Sequence, residues 1–247
     1  GETIGTVKRT LTMFFLIDAS KSMEGNKIGA VNDSMSNVIP IIRELSEKNP
    51  DADIQIAVLV FNTTVNWVTP GPQPASGFVW VDVRAEGLTS LGAACEELNE
   101  KLSRSSQGFM QSPTGYYPPA IILLSDGVPT DDIDAGLNKL MANNWFKVAS
   151  KIAIAIGNDA DTEVLKKFTG NIESVIGVHE LESLKALIRM VSVTSAQIGS
   201  RSSSVGQKTK QEELISDLHQ QAKNLPDVEF PEPGASEAGI DEFVDKF

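Results

Sequence analysis

The sequence predicts an open α/β protein, a mostly parallel central sheet carrying helices on both faces, followed by a flexible acidic C-terminal tail. Two observations lead there. Apolar runs such as TMFFLID (12–18), DIQIAVLVFN (53–62), AIILLSD (120–126) and KIAIAIG (151–157) continue with little polar alternation, the pattern of strands buried on both faces. Between them lie segments whose apolar residues recur at helical spacing, so strand and helix alternate along the chain.

The first strand, 12–18, is followed from Lys27 to about Glu47 by a helix with Ile28, Val31, Met35, Val38, Ile42 and Leu45 on one face. Pro40 inside it predicts a kink, and Asn49-Pro50 closes it. After the β-branched strand 53–62, the segment PGPQPASG reads as a loop leading to a third strand at FVWVD, 78–82. A helix over 90–104 places Leu91, Ala94, Leu98 and Leu102 together, and a polar surface loop spans 105–118. Beyond strand 120–126, Thr130 is expected to cap a helix over 131–144, with Asp131 and Asp132 in its first turn. Strand 151–157, helix 161–168, strand 174–178 and helix 180–194 complete a domain over 10–195. Composition then shifts. Residues 196–210 are small and polar, a flexible linker; 211–247 form an acidic tail with a short amphipathic helix at 211–224. Phe243, Val244 and Phe247 are a candidate docking motif at its end.

With 33 acidic and 21 basic residues the chain carries a net charge of −12, which argues against a nucleic-acid partner, since phosphate backbones require a basic stripe. It suits cations or basic protein surfaces. No stretch is apolar enough to span a bilayer. The single cysteine, Cys95, and the lack of a signal or transit segment point to a reducing, cytoplasmic setting. Cys95 belongs on the buried face of its helix, and Trp67, Trp80 and Trp145 are expected to serve packing.

Three separated pieces carry the chemistry. DASKS brings Asp18, Ser20 and Ser22 to the end of the first strand, LTSLG brings Thr89 to the mouth of a helix, and SDG puts Asp126 after the strand at 120. Loops at the carboxyl ends of strands line one crevice in such a sheet. The set is two carboxylates and three hydroxyls, all oxygen, which suits a hard divalent cation: Mg²⁺, or Mn²⁺ or Ca²⁺. Simpler roles remain open for each piece, with Ser20 and Ser22 capping the following helix and Asp126 closing an Asp-Gly turn.

In order and position, DASKS, LTSLG and SDG resemble the metal-ion-dependent adhesion site of von Willebrand factor type A domains, over about residues 10–195. The resemblance implies a Rossmann-like sheet and a non-enzymatic protein-binding module. Ser20, Ser22 and Thr89 would be direct ligands, Asp18 and Asp126 would act through water, and a partner's Asp or Glu would supply the remaining ligand. Lys21 stands where many members have glycine, and its stem is expected to point to solvent. DGVPTDD looks most like the bacterial TerY/YegL branch, associated with tellurium-resistance and stress gene clusters, which implies a protein kinase and a protein phosphatase as partners. Two alternatives stand beside this: a Mg²⁺-dependent phosphoryl-transfer enzyme, and a metal-independent scaffold assembling through its acidic tail. Against the first, DASKS lacks the second aspartate of a D-x-D motif, and no phosphate-binding G-x-x-x-x-G-K-[ST] loop is present.

Overall fold

A computed structural model describes residues 7–203, 206 and 208–230 of the 247. Phe243, Val244 and Phe247 lie outside the described residues. The core is a sheet in the order β3-β2-β1-β5-β6-β7-β8, built from β1 (Arg9–Asp18), β2 (Ala52–Phe61), β3 (Val65–Trp67), β5 (Ala120–Ser125), β6 (Ser150–Ile156), β7 (Val175–Val178) and β8 (Val228–Glu229). A further short strand, β4 (Gln73–Pro74), pairs with β2. The four pairings of the centre, from β2 through β7, are all parallel, while β3, β4 and β8 attach antiparallel at the flanks.

Each inner strand is apolar on both faces because each face is covered. Leu11, Met13, Phe15 and Ile17 of β1 join one apolar layer with α1 (Asn26–Lys48), α6 (Leu181–Gly199) and α7 (Lys210–Ala222). Phe14 and Leu16 join the other, under α2 (Leu91–Lys101), α3 (Asp134–Ala142), α4 (Asn144–Val148) and α5 (Thr162–Thr169). Helix α1 runs on through Pro40, which sits on its exposed side, where water can satisfy the carbonyl that the ring leaves without an amide donor.

Four expectations are corrected. No strand forms at 78–82. The segment alternates as a strand would, with Phe78 buried and Val79 and Val81 exposed, but its polar groups go to side chains of α1. Asn32 accepts from the Val83 amide and donates to its carbonyl, and Arg43 donates to the carbonyls of Ala75 and Phe78. The helix expected from 131 begins only at Asp134, because Asp131 is used elsewhere, as described below. The linker expected from 196 starts inside α6, which continues to Gly199. Finally, residues 210–229 are not a loose tail: α7 buries Leu214 and Leu218 in the main core, and Val228–Glu229 extend the sheet. A capping box closes the start of α7, where the Thr209 hydroxyl accepts from the Glu212 amide and the Glu212 carboxylate accepts from the Thr209 amide.

Candidate metal centre

The crevice lies where β1 is flanked by β2 on one side and β5 on the other, the point at which strand order reverses. Ile17 pairs with Leu124, so Asp18 and Ser125 end neighbouring strands at one level. Asp18 is fully buried; its Oδ1 accepts from the Ser20 amide at 2.9 Å and its Oδ2 from the Ser125 hydroxyl at 2.8 Å. Ser20 Oγ lies 3.0 Å from Ser22 Oγ, and Ser22 Oγ donates to Asp126 Oδ1 at 2.7 Å. Thr89 enters from across the crevice. A Cβ added to Gly127 would stand 3.6 Å from Thr89 Oγ1, 3.7 Å from Asp18 Oδ2 and 3.7 Å from Ser22 Oγ. Three oxygens from three loops therefore face one small space, kept clear because residue 127 has no side chain. The structure brings all five sequence-predicted residues together.

The simpler roles for these residues are not what the structure shows. Ser20 precedes a single 3₁₀ turn, Lys21–Met23, without capping it, and Gly25 stands at the N-cap of α1. Asp126 spends its carboxylate on Ser22 and Lys27, not on turn amides. Lys21 is exposed, as expected for a side chain in solvent. Asp18, Ser20, Thr89 and Asp126 are buried whereas Ser22 is exposed, so the cluster opens to solvent on the Ser22 side.

Sequence reasoning missed the roles of four contributors. Ser125 holds the inner oxygen of Asp18, and Lys27 pairs with Asp126 Oδ2 at 2.6 Å. Asp131 was expected in the first turn of α3, but its two carboxylate oxygens accept from the amides of Gly92 and Ala93 in the first turn of α2. A helix N-terminus leaves such donors unmatched, and a carboxylate there also meets the positive end of the helix dipole. Thr130 adds a second clasp: its hydroxyl meets both the amide and the carbonyl of Thr89. The two residues thus fasten the Thr89 loop to the Asp126 loop. Asp131→Ala is expected to cost about 1–2 kcal/mol of stability and to weaken metal binding by letting Thr89 drift; urea denaturation and calorimetric titration would read the two effects.

Burial raises the Asp18 carboxyl above its ordinary range, the nearby charge of Asp126 adds to this, and hydrogen bonds from Ser20 and Ser125 oppose it. A buried carboxylate held this way gains from a cation. Among the described residues no three His, Cys, Asp or Glu side chains gather as a metal cluster. The donor set has instead two carboxylates with hydroxyls, and the cleared space at Gly127 fits that set. Cys95 is no rival nucleophile: it is buried, and desolvation, with Asp131 and Glu96 adding, pushes its thiol up to about 12. Trp67 packs edge-on against Phe14 and Phe109, and Trp145 against Tyr116.

The von Willebrand factor type A domain model matches residues 13–190, which is most of the chain and includes every residue of the cluster. The chain belongs to that family. Domains of this family are typically metal-dependent protein-interaction modules and are generally not enzymes. Similar solved structures include a von Willebrand factor type A protein from Catenulispora acidiphila, 16% identical over 76% of this chain and 43% of that one, with a TM-score of 0.54. The ArnB paralog VWA2 from Sulfolobus acidocaldarius is 22% identical over 74% and 45%, with a TM-score of 0.53. Proximal thread matrix protein 1 from the mussel byssus, with a zinc-occupied MIDAS motif, is 17% identical over 77% and 49%, with a TM-score of 0.57. The chain thus spans less than half the length of each of these proteins. No curated protein matches it.

Proposed function

We propose that this von Willebrand factor type A domain is a protein-binding module that captures a partner's Asp or Glu carboxylate through a divalent cation, Mg²⁺ or alternatively Mn²⁺ or Ca²⁺. The carrying observation is the convergence of Thr89, Asp18 and Ser22 oxygens on the space beside Gly127. Ser20, Ser22 and Thr89 would hold the ion directly, with Asp18 and Asp126 acting through water. Three of those five groups are neutral hydroxyls, so the ion keeps much of its charge and favours an anionic oxygen from outside. Occupancy by zinc of the MIDAS motif in the mussel protein supports a divalent ion on this kind of scaffold.

The rim favours a particular setting for that carboxylate. Leu88, next to Thr89, is 56% exposed, and Val128, next to Gly127, is 59% exposed. Apolar side chains on both loops of a charged centre suit an acidic residue flanked by apolar ones, since desolvation of the rim strengthens the ionic contact. The likeness of DGVPTDD to the TerY/YegL branch supports a role as a cytoplasmic stress-response adaptor working with a kinase or phosphatase. Affinity capture from native cells, with and without chelator, tests the module. The expected result is a partner retained only with metal and lost with the uncharged pair Leu88→Ser/Val128→Ser, although that variant binds Mn²⁺ as wild type does. Equal capture in chelator would overturn the proposal.

A further inference from the structure

We propose that Lys27 is a tethered cation that competes with the divalent ion for Asp126 and so sets how tightly the site loads. This rests on the metal-binding function proposed above and concerns its regulation. The Asp126 side chain is wholly buried, and the Lys27 ammonium donates to its Oδ2 at 2.6 Å, while the lysine side chain is 35% exposed. The other oxygen of Asp126 accepts from Ser22, so both oxygens are held by one short segment, Ser22 before α1 and Lys27 in its first turn. Lys21, although nearer to the serines in sequence, is exposed and makes no ion pair among the described residues.

The lysine has a built path. Gly157 follows β6 with φ +84°, and a Cβ there would stand 3.4 Å from the Lys27 Nζ and 3.7 Å from its Cε. The stem and ammonium thus lie against bare backbone, in space that a side chain at 157 would crowd. Lys27 Nζ meets the carboxylate of Asp126, whose charge in turn bears on the buried carboxyl of Asp18. With the lysine in place, two negative charges are offset by one positive charge before any divalent ion arrives. An incoming ion meets an Asp126 that is already neutralised and a like charge close by, and both reduce its affinity. Removing the ammonium leaves a buried carboxylate without a counter-cation. That lowers the stability of the metal-free protein and raises the gain on metal binding.

Calorimetric titration of the full chain with Mn²⁺, paired with thermal denaturation with and without Mn²⁺, tests this on wild type, Lys27→Met, Lys27→Gln and Lys27→Arg. The neutral variants are expected to melt lower in chelator, to bind Mn²⁺ on the order of tenfold more tightly, and to show a larger metal-induced rise in Tm. Lys27→Arg, which keeps the charge, should return all three readouts toward wild type. Unchanged or weaker Mn²⁺ binding by both neutral variants would overturn the inference and leave Lys27 as a residue that only positions Asp126. Absence of Mn²⁺ binding in wild type and every variant would instead overturn the metal site itself, and this inference with it. Two neutral variants of different polarity guard against one of them failing to fold.

Discussion

Asp18→Asn is expected to weaken divalent-cation binding by about 100-fold while leaving the metal-free fold at least as stable as wild type. The two halves of this result come from one residue in two roles. Asp18 is fully buried at the end of β1, between the Ser20 amide and the Ser125 hydroxyl, and one of its oxygens faces the space beside Gly127. Asparagine keeps the size and an acceptor oxygen but removes the charge that draws in the ion. Stability moves the other way. Burial raises the carboxyl's pKa above its ordinary 3.8, against the pull of its hydrogen bonds. A group with a raised acid pKa holds its proton more tightly in the folded state, so it favours folding at low pH. That contribution is lost as pH rises from the ordinary value through the raised one. At neutral pH, ionised Asp18 is therefore a cost to the metal-free fold, and Asn removes it. Thermal denaturation in chelator should show the variant gaining on wild type between pH 4 and pH 7. With Mn²⁺ the order should reverse, because only wild type is stabilised by the ion. A variant that unfolds in chelator would show Asp18 to be structural first.

Most of the scaffold is legible in sequence because its signals are local. TMFFLID, AIILLSD and KIAIAIG are apolar on both faces, and a strand covered on both faces is the arrangement that buries them fully. The five oxygen-bearing residues are legible for a related reason, since each sits at or just past a strand end or helix mouth that the same periodicity locates. What escaped is long-range. Phe78 and Trp80 face the core with the period of a strand, yet no neighbouring strand takes their amides, and Asn32 and Arg43 on α1 serve the segment instead. Asp131 precedes one helix by three positions and caps another 39 residues away, which no spacing rule could have distinguished. Lys27 looks like any first-turn residue until β6 and β5 bring Gly157 and Asp126 beside it. The helix at 211–224 was legible from its spacing, but not its docking into the core, because its few apolar residues gain a partner only when α6 presents its own.

Gly92→Ala is expected to destabilise the fold by about 3 kcal/mol and to weaken metal binding by about tenfold, although the residue touches no member of the oxygen cluster. A Cβ at position 92 would stand 2.2 Å from the Asp132 carbonyl oxygen and 2.9 Å from an oxygen of Asp131. The nearer obstacle is backbone, which cannot swing aside as a side chain would, so α2 must shift. Gly136 shows the same closeness from α3, where a Cβ would come within 2.4 Å of the Gly92 carbonyl oxygen. The start of α2 and the approach to α3 are thus in contact through backbone, and the Asp131 clasp on the Gly92 and Ala93 amides depends on that approach. Moving α2 lengthens those bonds and carries Thr89, two residues before the helix, away from Asp18 and Ser22. Gly29 supplies the control. It lies within α1, has open space where a Cβ would be, and should gain about 0.5–1 kcal/mol on replacement by Ala. Opposite shifts in urea midpoint for Gly29→Ala and Gly92→Ala, with reduced Mn²⁺ affinity only in the second, would tie the affinity of the site to the packing of α2 on α3. Equal affinity in both would show that Thr89 keeps its place independently of that contact.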